Sequence, residues 1–280
     1  MQLARYLKGF DWGPLLVPLS LLGLLAIIGS YALARSHGYD LLAYWQVNPA
    51  DPYGDHRWEQ GGFNYAPPAA LILAPLALLP WEAAQLLWLG LQLAALWSIG
   101  RHWFLVLVLF PPVWLDITYG NINIFLAAMI VAGMRYPGVW AFGLLTKVTP
   151  GIGLGWFAIR RDWRSLAVGV CVTASVVLVS LLIQGPRVWG DWFDVLAQSG
   201  SIPTETALPI PILPRLAGSS LLIIWGAGTS RQWILPIAVT VAMPTLWLLA
   251  FAPLVALFRT SDDSASGGRL GTLLQSGADR

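Results

Sequence analysis

Long apolar runs separated by short polar clusters set the pattern of this chain. The first run, Pro14 to Ala34, carries no charge. It is long enough to cross a hydrocarbon core of roughly 30 Å, which takes about 20 apolar residues in a helix. Its residues are continuously apolar rather than alternating, so the pattern predicts helices and not the strands of a barrel. Trp81 to Gly100 predicts a second full helix, ending at Arg101 and His102. Between the two, Pro67 to Pro80 is apolar but short and broken by Pro67, Pro68, Pro75 and Pro80. Proline removes backbone donors that lipid cannot replace, which predicts a re-entrant or interfacial piece.

Further along, Trp103 to Leu115 leads to a polar corner at Asp116, Tyr119, Gly120, Asn121 and Asn123, and Ile124 to Met134 returns to Arg135. Gly138 to Ile159 is interrupted by Lys147-Val148-Thr149-Pro150. A lysine at the bilayer centre costs on the order of 3 kcal/mol or more, so two half-helices meeting at an external Lys147 are expected. Ser165 to Ile183, Ala217 to Ala227 and Trp233 to Phe258 supply the remaining apolar runs. The expected fold is all-α: a polytopic transmembrane helical bundle of about nine spans. It forms a single domain over 1–258, with interfacial helices on its external loops and a disordered polar tail at 259–280.

Composition agrees with a membrane solvent. Of the 280 residues 57% are hydrophobic and 11% charged, against about 25% charged in a soluble domain. Mean hydropathy is +0.66. Arg5, Lys8, Arg101, Arg135, Arg160, Arg161, Arg164 and Arg231 cluster in segments holding only Asp11 and Asp162 as acids. Under the positive-inside rule these segments are cytoplasmic, as is the N-terminus, and the acid-rich loops 35–68 and 184–216 are external. A plasma (inner) membrane location is expected. The run from Pro14 lacks a small-residue cleavage site and reads as a retained helix. A single Cys171 excludes a disulfide framework and a cysteine metal site. No cofactor, bound metal or nucleic-acid partner is expected.

Chemistry is most densely available between Arg35 and Pro68. Asp40 reads either as a solvated loop acid or helix cap, or as a general base at the membrane surface. Tyr44, Tyr53, Tyr65 and His56 are candidates for a substrate cavity beside it, and Phe63-x-Tyr65-x-Pro67-Pro68 for its wall or for interfacial aromatics. Asn121 and Asn123 are either caps or amide contacts to a sugar or phosphate. Lys147 is either a snorkelling lysine or a phosphate contact. Arg215 is a further external cation within a proline-rich run. P-loop, dinucleotide and HExxH patterns are absent, and the cytoplasmic segments are too short for a soluble nucleotide-sugar domain. An activated substrate is therefore expected in the membrane itself.

In order, the chain offers Asp40 with Tyr44-Trp45, Pro52-Tyr53, Phe63-x-Tyr65-x-Pro67, Pro75-Leu76, Gly120-Asn121-x-Asn123 and Lys147-x-x-Pro150. Over roughly residues 1–216 this set resembles the polyprenol-phosphate-mannose-dependent α-mannosyltransferases of the GT-C superfamily of membrane glycosyltransferases. The resemblance implies a donor sugar on a polyprenyl monophosphate, a hydroxyl acceptor on a glycolipid or glycan, and an inverting transfer. It implies Asp40 as the general base, with Lys147 and Arg215 meeting the departing phosphate and no divalent metal required. Where relatives carry an Asn-Gln-Ser-like stretch, this chain has Thr204-Glu205-Thr206. Two other readings stay open: a transporter or flippase for a lipid or amphiphile, for which no internal repeat is found, and a short non-catalytic relative assisting another membrane enzyme.

Overall fold

The computed structural model describes residues 38–54, 62–199 and 208–260. The first apolar run, His56, Thr204 to Thr206 and the tail beyond 260 lie outside the described residues. Among the described residues every regular element is helical, in agreement with the expected class. Helix α1 is Tyr39–Trp45, α2 is Pro67–Leu73, and α3 is Trp81–Gly100. Next come α4 (Phe104–Val108), α5 (Pro111–Tyr119), α6 (Asn123–Gly133), α7 (Trp140–Lys147) and α8 (Gly155–Ile159). The last are α9 (Trp163–Ser199), α10 (Ile212–Gly228) and α11 (Ile234–Ala242), followed by a 3₁₀ stretch, Leu248–Ala256.

The expected nine crossings are not all found among the described residues, which leave out the first apolar run. Among the described residues two helical stretches are long and apolar enough to cross a membrane, Trp81–Val108 and Trp163–Gln198. A third is added if the bent pair Pro111–Tyr119 and Asn123–Gly133 counts as one span. Within the described residues, proline and glycine break several of the apolar runs. Pro67 and Pro111 open α2 and α5 at their first turns, where the missing N–H costs nothing. The Gly120 turn closes α5, and a 3₁₀ turn from Thr149 follows α7. The apolar runs are thereby cut into pieces shorter than a bilayer crossing.

Two of the expected breaks fall where the sequence places them. Pro67 to Leu78 is a short helix running into a 3₁₀ turn. The Gly138 to Ile159 run divides immediately after Lys147, where Val148 has φ 57°. One segment gains a helix that the sequence did not mark. Residues 186–199, assigned to an external loop over 184–216, are helical and continue α9 beyond a kink at Gly185 (φ 79°, ψ 167°). The kink is tied down by side chains: Gln184 Nε2 donates to Pro49 O at 2.8 Å, and Trp189 Nε1 donates to Ser180 Oγ at 3.2 Å.

Two buried clusters result. One unites α5, α6, α11 and the final 3₁₀ stretch around Ile117, Ile124, Ile130 and Val239. Trp140 is fully buried within it, against Gly153, where a Cβ would lie 2.2 Å or less from its ring. The other is aromatic and joins α1, the segment after it, α2 and the 186–199 half of α9 through Tyr44, Tyr53, Phe63, Trp88 and Trp192. Ile122 belongs to the aromatic cluster and Ile124 to the aliphatic one. The Gly120–Asn123 corner therefore sits on the seam between them.

Candidate functional site

Helix α5 ends at Gly120 in a left-handed conformation (φ 68°), and α6 departs at 114° to it. A Cβ on Gly120 would stand 2.7 Å from Leu41 Cβ. Only a glycine lets α1 dock this closely, and Gly38 N completes the contact by donating to Thr118 O at 3.0 Å. Asp40, in the first turn of α1, is brought over the corner by this packing. Fully buried Gln92 of α3 supports the corner from below, its Nε2 donating to Asp116 O at 3.1 Å and to Asn121 O at 2.9 Å.

The side chains of the corner form one hydrogen-bonded row. Asn121 Nδ2 donates to Asp40 Oδ2 at 2.7 Å. Asn121 Oδ1 accepts from Lys147 Nζ at 3.1 Å, and Asn123 Oδ1 accepts from the same ammonium at 2.8 Å. Asn123 Nδ2 then donates to Asp116 Oδ1 at 2.8 Å and to Leu249 O at 3.1 Å. Two acids and one lysine thus share a site in which amides, not ion pairs, make the direct contacts. Asp40 has one oxygen in this row and its other oxygen without a partner among the described residues. Lys147 spends two of its three N–H groups on asparagines. Burial pushes the Asp40 carboxyl above the usual carboxylate range, opposed first by the Asn121 hydrogen bond and then by the Lys147 charge.

One side of this row is aromatic. The hydroxyls of Tyr44 and Tyr65 share a hydrogen bond at 2.7 Å, and Tyr53 donates its hydroxyl proton to Tyr65 O. Burial raises both Tyr44 and Tyr65, and the Asp40 charge adds to this. Neutral phenols therefore border the carboxylate. Ala66 N donates to Leu145 O at 3.1 Å, fixing the Tyr65 segment against α7, the helix that carries Lys147.

Asp40, Asn121, Asn123, Lys147, Tyr44, Tyr53 and Tyr65 are thus brought into one region. Arg215 is not. It lies in the first turn of α10, and its guanidinium donates to Ile210 O (2.9 Å), Met243 O and Pro244 O (2.9 Å). These are carbonyls left open by the chain breaks before α10 and after α11. Sequence reasoning passed over Asp116 and Gln92, both fully buried. An acid at the end of an apolar run was the available signal for the first. Nothing in the sequence marks the second.

Comparison with known proteins places the chain in a family. The sequence profile of glycosyltransferase family 87 matches residues 63–275. The chain belongs to glycosyltransferase family 87. The family match contains Asn121, Asn123, Lys147 and Arg215, whereas Asp40, Tyr44 and Tyr53 precede it. A polyprenol-phosphate-mannose-dependent alpha-(1-2)-phosphatidylinositol pentamannoside mannosyltransferase of Mycobacterium tuberculosis is 28% identical over 164 residues. That alignment covers 50% of this chain and 38% of the relative. The protein of the same name from Mycolicibacterium smegmatis is 25% identical over 60% of this chain and 44% of its own length. A polyprenol-phosphate-mannose-dependent alpha-(1-2)-phosphatidylinositol mannoside mannosyltransferase of M. tuberculosis is 25% identical over 50% of this chain and 41% of its own. This family 87 chain therefore spans well under two thirds of the length of the curated relatives it matches. No solved structure matches it.

Proposed function

We propose that this chain is a membrane glycosyltransferase that moves mannose from a polyprenyl-monophosphate donor to a hydroxyl of a glycolipid or glycan acceptor, with inversion, on the outer face of the plasma membrane. The observation that carries the reading is Asn121, which touches both Asp40 and Lys147 and holds a base and a cation side by side. The open oxygen of Asp40 takes the acceptor proton as the hydroxyl oxygen attacks the anomeric carbon. The bond from that carbon to the phosphate oxygen breaks, and its electron pair stays on the phosphate. The remaining N–H of Lys147 meets the charge that develops there, without a cofactor. A positioned base typically contributes about 10²–10⁴ in rate, and one electrostatic donor about 10²–10³. Tyr44, Tyr53 and Tyr65 form the wall against which the sugar or acceptor lies. Family membership and the names of the relatives support the reaction class and the donor.

The test is mannosyl transfer by the purified chain in detergent, from radiolabelled polyprenyl-phosphate-mannose to a membrane lipid extract. Asp40→Asn should lower transfer by about 100-fold or more while donor binding persists. Equal turnover in wild type and variant would remove the base assignment. A wild-type chain that binds no donor would replace the transferase reading with lipid transport.

A further inference from the structure

Asp116 has no open face toward a substrate, yet every polar atom of its side chain is spent on the corner that holds Lys147. Its Oδ2 accepts from Ile124 N at 3.0 Å, and its Oδ1 from Asn123 N at 3.3 Å and Asn123 Nδ2 at 2.8 Å. The last bond decides the direction of the Asn123 amide. Both Nδ2 protons are taken, by Asp116 and by Leu249 O, so the amide oxygen is left facing Lys147. Turned over, the amide would set its NH₂ group against the ammonium. It would also set its oxygen against a carboxylate and a carbonyl. Asn123 itself is fully buried, so water cannot relieve either clash.

We infer that Asp116 is the positioning residue for Lys147: acting through the Asn123 amide, it fixes the ammonium so that one N–H stays clear of the protein's own acceptors and is presented to the phosphate of a lipid-linked donor. This rests on the reading of Lys147 as the phosphate contact. A helix cap alone would explain the bonds to the backbone N–H groups of Asn123 and Ile124. It would not explain the bond to the Asn123 side chain, nor that amide's second bond to Leu249 O.

The experiment uses the full chain in detergent and polyprenyl monophosphate without sugar as the binding probe. Donor KM, acceptor KM and melting temperature are followed in parallel. Asp116→Asn and Asn123→Ala should each weaken probe binding about tenfold or more, the scale of one charge-assisted hydrogen bond. Each should raise donor KM and leave acceptor KM unchanged. Combined with Lys147→Ala, neither should weaken binding further, because all three changes remove one contact. A lower melting temperature with unaltered probe binding would reduce Asp116 to a cap, and additive losses with Lys147→Ala would overturn the relay. Should Asp116→Asn fail to fold, Asn123→Ala decides alone. That variant keeps both backbone bonds to Asp116 and removes the amide's bonds to Asp116, Lys147 and Leu249 O, and unchanged binding in it overturns the inference. If Lys147→Ala by itself binds the probe as wild type does, the phosphate reading of Lys147 fails first, and the two failures are told apart.

Discussion

Asn121 keeps Asp40 and Lys147 apart while touching both. A base that paired with the lysine would be a weak proton acceptor, and a lysine neutralised by the base would attract phosphate poorly. Lys147→Ala is therefore expected to raise donor KM about tenfold or more, with acceptor KM little changed; equal effects on both would argue against a phosphate contact. The pH dependence has a definite sign. Burial raises Asp40 above its ordinary 3.8, so the rate falls as pH drops through that raised value, and the acidic limb lies higher than for an ordinary carboxylate. Stability runs the other way. Between 3.8 and the raised value the folded chain holds a proton the unfolded chain has lost, so stability declines as pH rises through that window. In Lys147→Ala the lost positive charge should move the acidic limb of kcat higher still, which a pH–rate series reads directly. Asp40, Asn121, Asn123 and Lys147 were legible because polar groups at the ends of apolar runs are conspicuous. Arg215 was legible only as a cation. Its acceptors at Met243 and Pro244 lie far along the chain, and no local pattern announces open carbonyls there.

Elements place these residues through a few close contacts. Gly120→Ala would combine a left-handed backbone, costing about 1–2 kcal/mol, with a collision against Leu41 of α1. Transfer should fall by more than the loss of melting temperature accounts for, because α1 carries Asp40; a parallel loss of both would show that docking of α1 is not what matters. Arg215→Met should lower stability by about 2–4 kcal/mol, as buried carbonyls lose their donors. Donor KM in the surviving folded fraction should stay at the wild-type value, and a raised donor KM would return Arg215 to the site. Helix α3 was readable to the residue because Trp81 to Gly100 is a mostly apolar run with one charge, Glu82 in its first turn, between a proline and Arg101. The 186–199 helix was not. Gly185-Pro186 reads as the entry to a loop, yet proline suits the first turn of a new helix. What holds that helix is distant packing of Trp189 and Trp192 in the aromatic cluster with Tyr53 and Phe63.

Over the whole molecule, the two clusters divide the labour of the fold. The aliphatic one packs short helices against each other, and the aromatic one carries the segment bearing Asp40. Much of α9 remains bare of protein, with Leu182 78% and Ile183 64% exposed, as suits a helix whose neighbour is lipid. The polar row lies on the seam, drawn from three stretches around residues 40, 121 and 147. That spacing has a consequence for synthesis. Asp116 and its partner Ile124 lie only eight residues apart, so this cap needs little chain to form during translation. Asp40 must wait for Asn121, and the asparagines must wait for Lys147. The lysine is the last side chain of the row to arrive, ahead only of the Leu249 carbonyl, and a nascent chain tethered short of it should hold the corner with its keystone missing.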